Sequence, residues 1–245
     1  MDTSQYLDAV MDNAAMFVVA ARRAGLNTEV PTCPNWNVGG LATHQGRVFR
    51  WASAIVATAS QEFIHPKSLE EPGEDEDPID WLGKGAVRVV EVLRQADPDA
   101  KVWNWFDGRP APALFWFRRM AHEIVIHRAD AEAAAGMQSP VEPAELACDG
   151  IDEFLHFLPA RAKDESFKTP SGSYHFHTTD VEGEWLVNFH AQGVSVAREH
   201  AKADVAVRGA ASDLELFLYN RRGPDGLEVF GDKAKLAAWT KNVRF

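Results

Sequence analysis

A chain of 245 residues is long enough for one large domain or two modest ones, and an apolar fraction of 46% supports a real core. A formal net charge of -11 repels phosphate backbones and anionic bilayers, which argues against nucleic acid or a membrane surface as partner. The two cysteines, Cys33 and Cys148, cannot build a disulfide framework, and there is neither a basic, apolar leader nor an apolar run of about 18 residues; the expectation is a cytoplasmic protein.

The first half reads as helices. Tyr6, Leu7, Val10, Met11, Ala14, Phe17, Val18 and Ala21 recur at helical spacing, and Gly25 and Asn27 end that run. The stretch Val30 to Trp36 holds two prolines and is expected to be a loop. Asn37 is the expected N-cap of a second helix through Leu41, His44, Val48, Trp51 and Ile55. Between Glu62 and Pro78 the chain is acidic and proline-bearing, the pattern of a solvated loop. A third helix is expected from about Ile79 to Gln95. A Trp-rich connection then leads to a fourth, from about Pro112 to Ala135, with Pro112 in its first turn and Gly136 at its end. Four helices with three connections predict an antiparallel bundle.

A fifth helix is predicted over about Pro143 to Ala160, and then the pattern changes. Tyr174 to Thr178 and Trp185 to Phe189 have strand character, with a turn at Glu182-Gly183. Val194 to Ala197, Val205 to Val207 and Leu227 to Phe230 add short strands. Ser212 is the expected cap of a helix to Tyr219, and Asp232 to Trp239 closes the chain as a short helix. The domain boundary is expected between about Gly136 and Lys168.

Chemistry concentrates on the fourth helix. Glu123 and His127 are four residues apart, roughly 40° around the axis, so both side chains share a face. A carboxylate and an imidazole so placed can grip one metal ion, as inward-facing Glu and His do in bundle proteins. The same spacing also serves simply to support an exposed helix. His122 and His127 lie five apart, roughly 140° round the helix, which does not match the H-E-x-x-H spacing of zinc proteases. His122 is read as a packed or exposed histidine. His44, in the middle of the second helix, is the candidate third ligand; three protein ligands leave positions open, the catalytic arrangement. Asp130 is placed to orient an imidazole from behind.

Cys33-Pro34-Asn35-Trp36-Asn37-Val38, followed by Leu41 and His44, resembles the signature of the mycothiol-dependent maleylpyruvate isomerase family, within the wider DinB-like bundle superfamily. Arg119 to Asp130 matches a second stretch. Asp204 to Gly209, Asp213-Leu214, Arg221-Arg222-Gly223 and Val229 to Asp232 match a third. The resemblance implies an α plus α/β protein: a DinB-like four-helix bundle over residues 1–140, then a small sterol-carrier-like α/β domain over 141–245. It implies a divalent metal, usually zinc, on His44, Glu123 and His127. It implies a catalytic arginine at Arg222, with Arg221 as its rival. It also implies mycothiol as thiol cosubstrate beside a small-molecule substrate, in a monomer or homodimer. A metal with an open position lowers the pKa of a bound thiol. In maleylpyruvate isomerisation the thiolate would add to the cis double bond; rotation and loss of the thiol would then give the trans isomer. Arg222 would hold a substrate carboxylate. The family also contains thiol S-transferases, and the acidic Glu70 to Asp77 insert and Trp103-Asn104-Trp105 depart from its pattern, so the substrate stays open.

Cys33, with no base near it in sequence, is expected to pack its loop, and Cys148 to be buried. His175 and His177 share a strand face and are read as exposed, with a second metal site as the alternative. Trp103, Trp105 and Trp116 are expected in the core or a cleft wall. No nucleotide-binding glycine motif occurs. Two other readings stand beside the enzyme. One is a non-catalytic carrier of an apolar small molecule or lipid with a structural metal; the other is a module whose acidic loop meets a basic protein.

Overall fold

The computed structural model describes residues 1–163 and 170–243; the upper limit expected for the domain boundary, Lys168, lies outside them. Within it the chain forms two compact units, Met1–Ser139 and Pro140–Phe245.

Helix α1 (Thr3–Ala24) starts at Asp2, whose side chain accepts from the Gln5 backbone N–H while the Gln5 side chain accepts from that of Asp2. This reciprocal cap satisfies two end donors. The helix stops at Gly25, at φ 86°, a backbone region that only glycine enters without strain. Helix α2 (Val38–Ala57) is capped by the Asn37 side chain, which accepts from the Gly40 N–H at 2.8 Å. Helix α3 (Pro78–Gln95) is capped by Asp77, with Pro78 in its first turn. Helix α4 is Leu114–Ala134. Among the described residues these four make the bundle. Around its perimeter the order is α1, α3, α2, α4, so α2 and α4 are direct neighbours. Gly46 lets α2 meet α3 closely: a Cβ there would sit 2.3 Å from the Trp81 ring.

Two connections differ from expectation. The acidic stretch is not simply solvated. A single 3₁₀ turn, Pro66–Ser68, interrupts it, and several of its carboxylates pair with cations of the bundle helices. Glu71 accepts twice from Arg47 (2.8 and 2.7 Å), Glu76 pairs with Lys84 (2.6 Å) and Asp77 with Arg22 (2.6 Å). The Trp-rich connection is a hairpin, β1 (Lys101–Trp103) against β2 (Pro110–Pro112). Pro112 is therefore paired in an edge strand rather than in the first turn of α4, a place where its missing N–H costs nothing. Trp116 is fully buried and donates its indole N–H to the Trp103 carbonyl, whereas Trp105 is 38% exposed.

In the second unit α5 (Ala144–Arg161) precedes a sheet of order β5-β4-β3-β6-β7 among the described residues. Its strands are β3 (Gly172–Thr178), β4 (Glu184–His190), β5 (Gly193–Ala197), β6 (Val205–Gly209) and β7 (Glu228–Gly231). Among the described residues only the β3–β6 pair is parallel. Helices α6 (Ala211–Leu218) and α7 (Lys233–Asn242) complete it. One sheet face sends Tyr174, Phe176 and Phe189 against the buried Trp239 of α7. Ser212 does not cap α6. That position falls to Ala210, and the Ser212 hydroxyl instead accepts from the Val141 N–H at 2.7 Å. A helical unit followed by a small sheet-bearing unit is the predicted fold class.

Candidate metal centre

The loop before α2 closes on itself. The Val30 N–H donates to the Trp36 carbonyl and the Trp36 N–H to that of Cys33, while Asn35 takes φ 70°, which asparagine tolerates better than most residues. This sets the start of α2 and brings His44 beside α4. The Glu123 Oε1 lies 3.3 Å from His44 Nε2 and 3.4 Å from His127 Nε2. All three donors fall within 4.8 Å of one another. A tetrahedral ion with bonds of about 2.05 Å has donor–donor edges of about 3.3 Å, so the two shorter separations fit a zinc-sized ion. The side chains are 33%, 22% and 13% exposed for His44, Glu123 and His127.

The surroundings orient the candidate ligands. His127 Nδ1 meets Asp130 Oδ2 at 2.8 Å, leaving Nε2 directed toward Glu123. A carboxylate behind an imidazole fixes ring and tautomer and raises ligand basicity. Asp130 is fully buried and held in turn by the loop: Thr32 donates to Oδ1 at 2.5 Å and the Cys33 thiol to Oδ2 at 3.3 Å. Trp36 stacks on His127 with ring centroids 6.3 Å apart and sets its edge to His44 at 4.8 Å. Arg119 donates to Glu123 Oε2 at 2.8 Å.

Electrostatics follow from these contacts. Burial disfavours the Glu123 charge, but the Arg119 guanidinium and the two imidazoles outweigh it and hold the carboxyl well below the usual range. Burial likewise opposes charge on His127, yet Asp130 and Glu123 together raise that imidazole to about 9.

The three candidate ligands named from sequence therefore meet, and Asp130 stands behind one of them. His122 is wholly buried and sets its ring edge-on to Tyr6, on the inward side of the helix. Thr32, Trp36 and Arg119 were not singled out for these roles. Thr32 and Asp130 are 98 positions apart, and no spacing rule joins them. Cys33 packs its loop as expected, but its thiol also meets a carboxylate from the far end of α4. Arg222 and Arg221 lie in the other unit, after α6. The Arg222 guanidinium donates to Asp213 at 2.7 Å, and that of Arg221 donates to the Tyr219 carbonyl at 2.7 Å. Cys148 is buried, and burial pushes its thiol pKa up.

The family model described as the mycothiol maleylpyruvate isomerase N-terminal domain matches residues 7–132. The MDMPI C-terminal domain model matches residues 145–238. Among solved structures, a histidine-to-alanine mutant of the mycothiol-dependent maleylpyruvate isomerase is 13% identical, with a TM-score of 0.66 over 94% of this chain and 93% of that one. The unmutated isomerase gives 0.60 at the same identity and coverage. Sterol Carrier Protein 2 Like 2 from Aedes aegypti covers 38% of this chain and 94% of its own at 16% identity; its TM-score of 0.29 is too low to relate the two. No curated protein sequence matches this chain. With one domain model covering the bundle and its companion covering most of the second unit, the chain belongs to the mycothiol maleylpyruvate isomerase family.

Proposed function

We propose that this protein is a metal-dependent enzyme using mycothiol as thiol cofactor for isomerisation of, or S-transfer on, a small electrophilic substrate. In this reading residues 1–140 hold the ion and residues 141–245 form a second domain. The observation that supports it most is the convergence of His44, Glu123 and His127 on one point, with Asp130 behind the imidazole. A divalent ion there, zinc by the chemistry of two imidazoles and a carboxylate, would supply Lewis acidity that lowers a thiol's pKa. The chain's own residues do the rest. Asp130 keeps the His127 ring turned so that Nε2 offers its lone pair. Arg119 offsets the Glu123 charge and fixes the second carboxylate oxygen. Trp36 walls the two imidazoles on one side. Arg222, freed from Asp213, is the proposed partner of the substrate carboxylate, since its planar fork matches that group in bidentate fashion.

The test is metal analysis joined to calorimetric titration of mycothiol into the metal-loaded protein. His44→Ala is expected to lose one equivalent of metal, thiol binding and turnover together. Thiol binding that persists after chelation would overturn the reading. Arg222→Ala is expected to keep the metal and lose activity; full activity would transfer the role to Arg221.

A cavity of about 800 Å³ in the second unit favours one other reading. Phe217, Leu227, Val229 and Leu236 line it, with Lys233 and Lys241 also on its wall. That lining suits an apolar molecule with an acidic end, as a carrier would hold. Unchanged affinity for a fatty acid in metal-free protein, with no thiol-dependent turnover, would support the carrier.

A further inference from the structure

His175 was expected on an exposed strand face, but it is only 5% exposed. Strand β3 puts His175 and His177 on the sheet face opposite Tyr174 and Phe176. Glu184, the first residue of β4, lies directly across from His177 in the antiparallel register. His200 arrives from the connection between β5 and β6. Three imidazoles thus surround one carboxylate. The Glu184 Oε2 lies 3.0 Å from His200 Nδ1 and 4.0 Å from His175 Nε2, and Oε1 lies 3.2 Å from His177 Nδ1.

Burial lowers the pKa of His175. The same ring meets the Glu199 backbone, while its buried Nε2 has no hydrogen-bond partner. A histidine anchored to the backbone at one nitrogen and offering a bare lone pair at the other is prepared as a ligand is. A buried polar atom left unsatisfied is costly unless something occupies it. Beside the cluster opens a cavity of about 590 Å³ bounded by His177, Glu184, Arg198 and Glu199, which gives an ion and water a way in.

We propose that His175, Glu184 and His200 form a second divalent transition-metal site, in the C-terminal unit, with His177 steering the carboxylate. The three ligand atoms already lie within 4.8 Å of one another. Two imidazoles and a carboxylate suit zinc, nickel or copper rather than calcium or magnesium. Three segments supply the ligands: β3, β4 and the connection after β5. The ion would therefore pin that connection to the sheet. The site uses only residues of the second unit, and its test does not depend on the thiol chemistry.

Calorimetric titration of zinc into the chelator-stripped, full-length protein tests it. The wild type is expected to take two equivalents. His200→Ala and His127→Ala should each take one, and the double variant none. His200 is 79% exposed at its side chain, so truncating it leaves the core intact. Glu184→Gln, which keeps the shape of the side chain, should weaken the second equivalent at least about tenfold. If the bundle site were empty, a single equivalent would vanish in His200→Ala and survive in His127→Ala, and the second site would still stand. Equal zinc uptake by wild type and His200→Ala would overturn it.

Discussion

Residue by residue, the bundle centre is organised from behind. Asp130 touches His127 at Nδ1 and is itself gripped by Thr32 and Cys33, so the loop's role is transmitted through one carboxylate. Asp130→Asn is expected to lower metal affinity about 10- to 100-fold without unfolding the chain, read by competition with a chromogenic chelator. The pH dependence has a definite sign. In metal-free protein the His127 pKa is raised to about 9, so its charge stabilises the fold fully below about 6.5, and that contribution is lost as pH climbs through about 9. The melting temperature of stripped protein should fall across that window, and His127→Gln should flatten the fall. Metal uptake must expel the same proton. Apparent affinity should therefore rise about tenfold per pH unit over the same range. Glu123 and His127 were legible as a pair because four residues on a helix mean one face. The Thr32–Asp130 contact was not, because only the folded chain brings residues 98 apart together.

Helix α4 is the element on which the site depends. Its buried residues run nearly all round, including Arg119, His122, Arg128, Asp130 and Glu132, so it has no broad solvent face. Charges tolerated inside it are paired: Arg128 with Glu132 at 3.3 Å, Arg119 with Glu123 at 2.8 Å. Breaking a pair of this kind leaves a charge uncompensated. The neighbouring α2–α3 contact depends on the missing side chain of Gly46. Gly46→Ala would drive a methyl into the Trp81 ring, and overpacking of that kind costs about 1–3 kcal/mol, seen as an earlier denaturant midpoint with unchanged slope. Helix positions were readable from period and caps. The hairpin at Lys101–Pro112 was not, since three-residue strands rich in proline carry no alternation to detect.

For the molecule as a whole, charge is the dominant sequence-level property. With 36 acidic and 25 basic residues, the chain should pass unretained through a heparin or duplex-DNA column even at about 50 mM salt, where electrostatic attraction is strongest. Retention would mean a concentrated basic patch that net charge conceals. Much of the acidity in the Glu70–Asp77 stretch is paired with Arg47, Lys84 and Arg22, but at the surface, where each pair is worth about 0–1 kcal/mol. Among the described residues no helix is long and apolar enough to cross a membrane.

The sequence alone determined the order of elements, the change from helical to strand period, the caps at Asn37 and Gly25, and the shared face of Glu123 and His127. All of these depend on neighbours within a few residues, where backbone geometry imposes a fixed repeat. Tertiary structure decided which helices adjoin, and so that His44 meets the pair on α4. It also decided that Asp130 is clamped by the loop before α2, nearly a hundred positions away in sequence, and that His175 is buried against Glu184 and His200 rather than exposed. Those contacts come from packing, and packing joins residues by the surface they bury, whatever their separation along the chain.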